Sequence, residues 1–346
     1  VKFIEQRERR RVRSPSALGL TIGLAGIAAI FTLRALSSQV EAVNLPNAMQ
    51  DLLTLSYSVL IESLGFVILG VLFSIIVQVW IPDSWILRVL PKNVTLRRMA
   101  LSLLGVFLPV CECGNVPLAR GLVAKGFTVS ESMTFLVAAP ILNPVTIITT
   151  HQVFGFDDGI LVARLLGGFA IANIVGWLFS KHPDEDSLLT ERFAAQCAVP
   201  ANNDDDHDHH HSESKWQKSR DLFARESSVI MPALVIGSLI AGLVQVAVPR
   251  SILVELGSNP VWSVLALMVL AFVISICSNI DAFFILPFAS TFMPGSIAAF
   301  LIFGPIIDIK MLAIMRTTFR TSTLVQLTVI VALVSALIGL VLNYVG

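Results

Sequence analysis

The 346-residue sequence predicts an all-α polytopic membrane protein, an inverted repeat of transmembrane helices with two broken re-entrant hairpins. Three observations carry that expectation. Hydrophobic residues make up 55% of the chain and charged ones only 14%, against roughly 25% charged in an ordinary soluble domain. The charges are segregated: 8 fall in residues 1–13 and 17 in residues 181–226, more than half of the 24 basic and 24 acidic side chains. Between these tracts, apolar stretches of about 20 residues recur, the length a helix needs to cross a hydrocarbon core of ~30 Å. Finally, sequence blocks from the first half return in the second.

Residues 1–50 read as a basic tail followed by a first span. The apolar run 17–33 behind the Arg-rich start is long and has no small-x-small cleavage site after it, so it reads as retained. Residues 51–180 form the first repeat, with spans at 52–80, 130–150 and 159–180. Between the first two lies a stretch, 96–127, broken by Pro109, Gly114 and Pro117. Residues 181–225 are a polar His- and Asp-rich linker without apolar periodicity, read as disordered. Residues 226–346 form the second repeat, with spans at 229–248, 296–315 and 324–345. Its broken stretch, 261–292, is interrupted at 277–281 and at Pro287.

Each half of a broken stretch is short for a span, which favours re-entrant hairpins. Lys and Arg gather in the tail, at Arg88, Lys92, Arg97 and Arg98, in the linker, and at Arg316 and Arg320. Residues 37–51 and 151–158 carry acids and no Lys or Arg. The positive-inside rule then puts the N-terminus and the linker on the cytoplasmic side of a bacterial-type inner membrane. Hairpins made of two full spans satisfy the same loops, so the charges leave seven and eleven spans both open.

The repeat is explicit in the residues. Phe135-Leu-Val-Ala-Ala-Pro140-Ile-Leu-Asn143 returns as Phe300-Leu-Ile-Phe-Gly-Pro305-Ile-Ile-Asp308, and Cys113-Gly-Asn115-Val as Cys277-Ser-Asn279-Ile. Glu62-Ser63 matches Glu226-Ser227, and the segment 81–93 resembles 248–259. One span, one hairpin and two further spans per half make an odd number of crossings, so the halves should run in opposite orientations, as in many secondary transporters.

Polar residues inside the apolar halves are the candidate site. Cys111 and Cys113 sit in a break beside Gly114, Asn115 and Pro117. In an extended strip, residues two apart share a side, so both sulfurs would point at one soft solute such as trivalent arsenic, Cu(I) or Zn. The alternative is that a free Cys is a small buried hydrophobe. The second break supplies Cys277, Asn279 and Asp281. An unpaired acid at membrane depth costs at least ~2.5–3.5 kcal/mol on insertion scales, so Asp281 should line water or meet a partner; near the surface it would only cap the returning half-helix.

Asn143 and Asp308 follow Pro140 and Pro305 within spans, and Lys310 lies two residues beyond Asp308. Asp281, Asp308, Lys310 and Arg164 are the candidates for proton coupling. Arg164 would snorkel to the surface or pair with Asp281 or Asp308, while the bland reading of Asp308 and Lys310 is a kink with a neutralising pair. Glu62 and Glu226 read as structural, one turn into their helices, where acids favour the dipole. In the linker, His207, His209, His210 and His211 among aspartates have a metal-binding composition, with low-complexity drift as the alternative.

Several classes are excluded. Lys plus Arg equals Asp plus Glu, and no basic stripe with aromatics points to nucleic acid. The four cysteines, Cys111, Cys113, Cys197 and Cys277, give no disulfide framework. No Walker loop, nucleophile elbow, zincin motif or dinucleotide fingerprint occurs, so an enzyme, ATP-driven transport and a bound cofactor are not expected.

The blocks Val110-Cys111-Glu-Cys113-Gly-Asn-Val-Pro117-Leu-Ala and Thr134-Phe-Leu-Val-Ala-Ala-Pro140-Ile-Leu-Asn143-Pro144 resemble the predicted permease family that includes the trivalent organoarsenical efflux permeases. The likeness covers residues 50–180 and 226–346. It implies a multi-span permease whose Cys111 and Cys113 handle thiol-reactive solutes; Glu112 and Asn115 stand where smaller residues are expected. The function expected is therefore a secondary permease that moves a small metalloid, metal or thiol-reactive solute across the bilayer, in the efflux direction, by alternating access. Self-association is compatible with this reading. The alternatives are a membrane thiol oxidoreductase using the Cys-x-Cys pair and a metal-sensing membrane subunit working through its His-rich linker.

Overall fold

The computed structural model describes residues 47–82, 91, 93–107, 111–156, 159–197, 214–247 and 259–345, with isolated positions at 25, 28 and 32. Apart from those three positions, the run expected to be the first span lies outside the described residues, as do Pro109 and the four linker histidines. Among those described the protein is all-α, with a single isolated bridge, Leu189 to Phe319, and no strand. It is a multi-pass membrane protein: four described helices are long and apolar enough to cross, at Met49–Trp80, Ile160–Phe179, Lys215–Ala247 and Thr321–Tyr344.

The first of these, α1 (Asn47–Ile75), ends in a π-turn at Ile76–Trp80. The first broken stretch then supplies α2 (Val94–Leu103) and α3 (Glu112–Ala124). After it come α4 (Val129–Ala138), α5 (Pro144–Phe154) and α6 (Ile160–Phe179). The linker begins with a 3₁₀ turn and α7 (Glu191–Cys197) and ends inside α8 (Lys215–Ala247). The second half continues as α9 (Pro260–Ile274), α10 (Asp281–Ile285), α11 (Pro294–Phe303), α12 (Ile309–Met315) and α13 (Thr321–Val345).

Two spans expected to be continuous are broken. Residues 130–150 resolve into α4 and α5, and residues 296–315 into α11 and α12. The cause is local. Proline at 140 and 305 withholds the next helical donor, and three residues on, Asn143 and Asp308 cap a new helix by accepting from Val145 N at 2.8 Å and Met311 N at 2.5 Å. The broken pair α4–α5 still runs the length of α6, antiparallel to it. A Cβ added at Gly176 would meet Thr134 and one at Gly168 would meet Ile141, while Arg164 Nη1 donates to Thr150 Oγ1 at 2.8 Å.

The linker is structured at both ends. Leu188, Leu189 and Phe193 are buried, the Arg320 amide donates to the Leu188 carbonyl at 3.0 Å and the Thr190 amide to the Thr318 carbonyl at 2.9 Å. These apolar residues give 185–197 a face that composition alone hides. The expected span at 229–248 is the inner part of a longer helix that starts at Lys215.

The sequence-related helices α1 and α8 pack antiparallel along their length. Ser56 lies against Gly242 near one end, and Trp80 makes an edge contact with Trp216 at 5.7 Å near the other. Both ends of the 94–124 stretch lie near the linker: Arg97 pairs with Glu131, Arg98 Nη1 donates to Ser180 Oγ at 3.0 Å, and Lys125 Nζ donates to the Ile81 carbonyl at 3.0 Å. Both ends of 260–294 meet Asn343, which donates to the Pro260 carbonyl at 3.0 Å and accepts from the Gly295 amide at 2.9 Å. Asn343 is at the end of α13 remote from Arg320 and the linker.

Candidate solute site

Helix α3 starts from Cys111, an N-cap residue with extended backbone (φ −74°, ψ 175°). The expected extended Cys-x-Cys strip is not what forms. Glu112 and Cys113 are already in the first helical turn, closed by a Gly114 amide to Cys111 carbonyl bond of 3.1 Å. An acid at this position suits the helix N-terminus. The tight turn still brings the groups together: one ligand atom each from Cys111, Glu112 and Cys113 lie within 4.8 Å of one another. Pro117, one turn on, leaves the Cys113 carbonyl without its helical donor. Gly114 serves packing, since a Cβ on Gly70 of α1 would fall on its backbone.

The third thiol comes from the second half. Helix α9 is stopped by Ser275, which adopts the left-handed conformation (φ 54°). That conformation costs an L-residue about 1–2 kcal/mol and turns the chain into the strip that carries Cys277. Cys111 neighbours both Cys113 and Cys277. All three thiols are buried.

Glu112 ties the two halves together. Its Oε1 pairs with Lys310 Nζ at 3.1 Å, and its Oε2 accepts from Ser278 Oγ at 3.1 Å, Ser278 N at 3.4 Å and Cys277 Sγ at 3.7 Å. Lys310 Nζ also donates to the Ser275 carbonyl at 3.3 Å and stands 3.9 Å from Asp308 Oδ2. Asp308 is thus a helix cap whose second oxygen faces the site, and Lys310's nearer acidic partner is Glu112 rather than Asp308. Glu62 also borders Lys310, Glu112 and Cys277. Formal carboxylates outnumber the ammonium here, so the field favours a cation. Asp308 Oδ2 and both amide atoms of Asn115 are buried with no hydrogen-bond partner among the described residues; each such group costs about 1–3 kcal/mol unless a solute or water satisfies it.

The other candidates have their side chains engaged with further partners. Asn279 Oδ1 accepts from Thr146 Oγ1 at 3.4 Å, and the same hydroxyl donates to the Pro140 carbonyl at 3.1 Å, which links the second break to the α4–α5 break. Pro305 stands in the matching break between α11 and α12. Arg164 takes Asp281 as its partner, at 2.6 and 2.9 Å. An apolar groove along α6 and α13, lined by Leu178, Val325 and Val329, shares no residue with this site.

Sequence reasoning missed Glu112, Glu62, Glu226 and Arg120 as site or linking residues. Glu62 and Glu226 are mid-helix, not one turn in. Glu226 pairs with Arg120 Nε at 2.8 Å. The available signal was insertion cost: Glu62 is the sole charged residue in 52–80, and such a charge needs a partner.

A helical, multi-pass chain with buried thiols and charges between its halves has the architecture of a transporter, and comparison decides its kinship. Residues 48–344 match the family model ArsP_1, described as "Predicted permease". The chain belongs to the ArsP_1 family. Its relatives include "UPF0718 protein YcgR" of Bacillus subtilis, 36% identical over 268 residues, which are 76% of this chain and 87% of that protein. A Streptococcus mutans protein named "Putative two-component membrane permease complex subunit" is 30% identical over 286 residues, 82% of this chain and 92% of its own length. "UPF0718 protein YraQ" of Escherichia coli is 30% identical over 118 residues, 33% of this chain and 32% of that protein. No solved structure matches the chain. ArsP_1 membership makes this a membrane permease, with a transported solute and the lipid bilayer as its partners.

Proposed function

We propose that this permease is a secondary transporter that exports a small soft cation or metalloid across the cytoplasmic membrane, with the thiols of Cys111, Cys113 and Cys277 as its ligands. The observation that carries the reading is the convergence of these thiols from two halves of the chain beside a buried carboxylate. Three sulfurs suit trivalent arsenic, Cu(I) or Zn(II). Asn115 and Asp308 supply the polar atoms around them, and Glu112 and Lys310 bind the halves across the site.

Alternating access between two inverted repeats, residues 51–180 and 226–346, is part of the proposal. It is supported by the antiparallel course of the sequence-related α1 and α8. It is also supported by the broken stretches having their ends at opposite faces, as re-entrant hairpins of inverted halves would. Positive-inside charge favours a cytoplasmic linker. The name of the Streptococcus mutans relative supports an assembly of more than one subunit.

The test is uptake of a trivalent arsenical, Cu(I) or Zn(II) into everted vesicles. Cys113→Ser and Cys277→Ser are each expected to abolish uptake while the protein still reaches the membrane. Unchanged transport of every thiophilic solute by both variants would remove the thiols from the mechanism.

A further inference from the structure

Two buried ion pairs outside the thiol cluster also join the halves of the chain. Arg120 of α3 donates from Nε to Glu226 of α8 at 2.8 Å, and its Nη1 reaches Thr318 Oγ1 at 3.1 Å and the Thr317 carbonyl at 3.3 Å. The Phe193 ring of α7 lies over the guanidinium at 4.1 Å. Arg164 of α6 makes a two-pronged contact with Asp281 of α10, at 2.6 and 2.9 Å. The two arginines are 2% and 0% exposed. The second pair adjoins the Cys277 strip, where the Asp281 amide donates to the Cys277 carbonyl at 3.1 Å and Arg164 Nη2 to the Ser278 carbonyl at 3.5 Å.

Their positions along the helices are opposed. Arg120 is seven residues past Cys113 on α3, about 10 Å along the axis, in the direction of the linker, whose residues Leu188, Leu189 and Thr190 bond to the 317–323 turn. Arg164 is in the first turns of α6, fifteen residues before Phe179, about 22 Å from the helix end that enters the linker. The thiols therefore lie between two charge layers, one towards each face, and each layer connects residues before the linker with residues after it.

We infer that Arg120–Glu226, sealed by Phe193, is the gate on the linker face and that Arg164–Asp281 is the gate on the opposite face. This rests on the alternating-access reading above. The physical argument is that a buried ion pair has little net advantage over two hydrated charges, because desolvation offsets most of its attraction. A seam closed by ions therefore opens at small cost once water enters, which an apolar seam does not. It is a two-state element of the kind that alternating access requires. With both pairs made and the three thiols buried, the described conformation is closed to both faces.

The experiment is labelling by a membrane-impermeant methanethiosulfonate in a Cys197→Ser background, which leaves Cys111, Cys113 and Cys277 as the thiols. Right-side-out and inside-out vesicles are compared. E226Q is expected to raise the labelling rate roughly tenfold or more from the linker face alone, and D281N to do so from the other face alone. A variant that loses the wild-type gel-filtration profile is replaced on the linker side by F193A, which keeps all four charges and is expected to give the same one-sided rise. Flat labelling in folded variants, or a rise from both faces in a single variant, overturns the gates. Solute flux in wild-type vesicles is read separately. Flux with flat labelling removes the gates and leaves the permease reading; one-sided labelling without flux of any thiophilic solute keeps the gates and removes the proposed cargo.

Discussion

The helix breaks at 139–143 and 304–308 are one local device used twice with different chemistry attached. In each, a proline ends one helix and a polar residue three positions later caps the next. Two residues beyond the cap the halves part: Val145 is 37% exposed, whereas Lys310 is 1% exposed and pairs with Glu112. The same divergence occurs at the other breaks, where the first half has Glu112 before its repeated Cys and the second has Ile276. Apart from the repeated Glu62 and Glu226, what is repeated makes the fold, and the buried charges stand at positions that are not repeated. Three buried pairs cross between the halves, Glu112 with Lys310, Arg120 with Glu226 and Arg164 with Asp281, so charge complementarity as well as packing holds the halves together.

That contrast breaks first at Lys310. Removing one member of a buried ion pair strands the other, which typically costs about 3–5 kcal/mol. Lys310→Met should therefore be the most destabilising of the substitutions considered, read as a loss of unfolding free energy in detergent micelles. Its counterpart Val145→Met should change stability by under about 1.5 kcal/mol. The double variant Glu112→Leu/Lys310→Met removes both charges and should recover much of the loss, because a buried pair is often replaceable by apolar groups. Transport should not recover with it. A double variant no more stable than Lys310→Met would mean that the pair is not what joins the halves there.

The next effect concerns the repeated framework. At Gly70 an added Cβ falls on the Gly114 backbone, and that neighbour is main chain that has no rotamer to move. Gly70→Val should cost about 1–3 kcal/mol through displaced helices and slow transport, since it shifts the helix that carries Cys113. Gly65, five residues earlier on α1, meets nothing within 4 Å. Gly65→Ala should be neutral or stabilising by up to about 1 kcal/mol. Equal effects at the two positions would remove the close approach of α1 and α3 as a determinant of the site.

Much of this framework was legible in the residues, for physical reasons. Low charge density and span length gave the membrane-helical class, and the Cys277 to Asp281 interruption marked where α9 stops. Pro140 and Pro305 are visible, yet 130–150 and 296–315 read as continuous spans, because the capping by Asn143 and Asp308 depends on a backbone turn that the sequence does not display. The candidate site is legible by composition and not by partnership. Cys111, Cys113 and Cys277 were visible as thiols in breaks, and Asp281 was one of two partners weighed for Arg164. Glu112 was overlooked as a site residue because its partner is 198 residues away, and Arg120 because a charge near a loop ordinarily needs no partner.

The smallest effects separate capping from charge at the two equivalent breaks. Asn143→Ala removes the acceptor for the Val145 amide and should cost about 1 kcal/mol, the usual value for a lost N-cap. Asp308→Asn keeps an acceptor for the Met311 amide, and Lys310 retains Glu112, so its stability should stay within about 1 kcal/mol of wild type. Its transport should nevertheless fall, because the carboxylate oxygen that faces Lys310 without a hydrogen-bond partner is gone. Paired melts and vesicle uptake for the two variants decide the matter. If Asp308→Asn transports normally, Asp308 is a cap like Asn143, and the asymmetry between the halves narrows to Glu112 and Lys310.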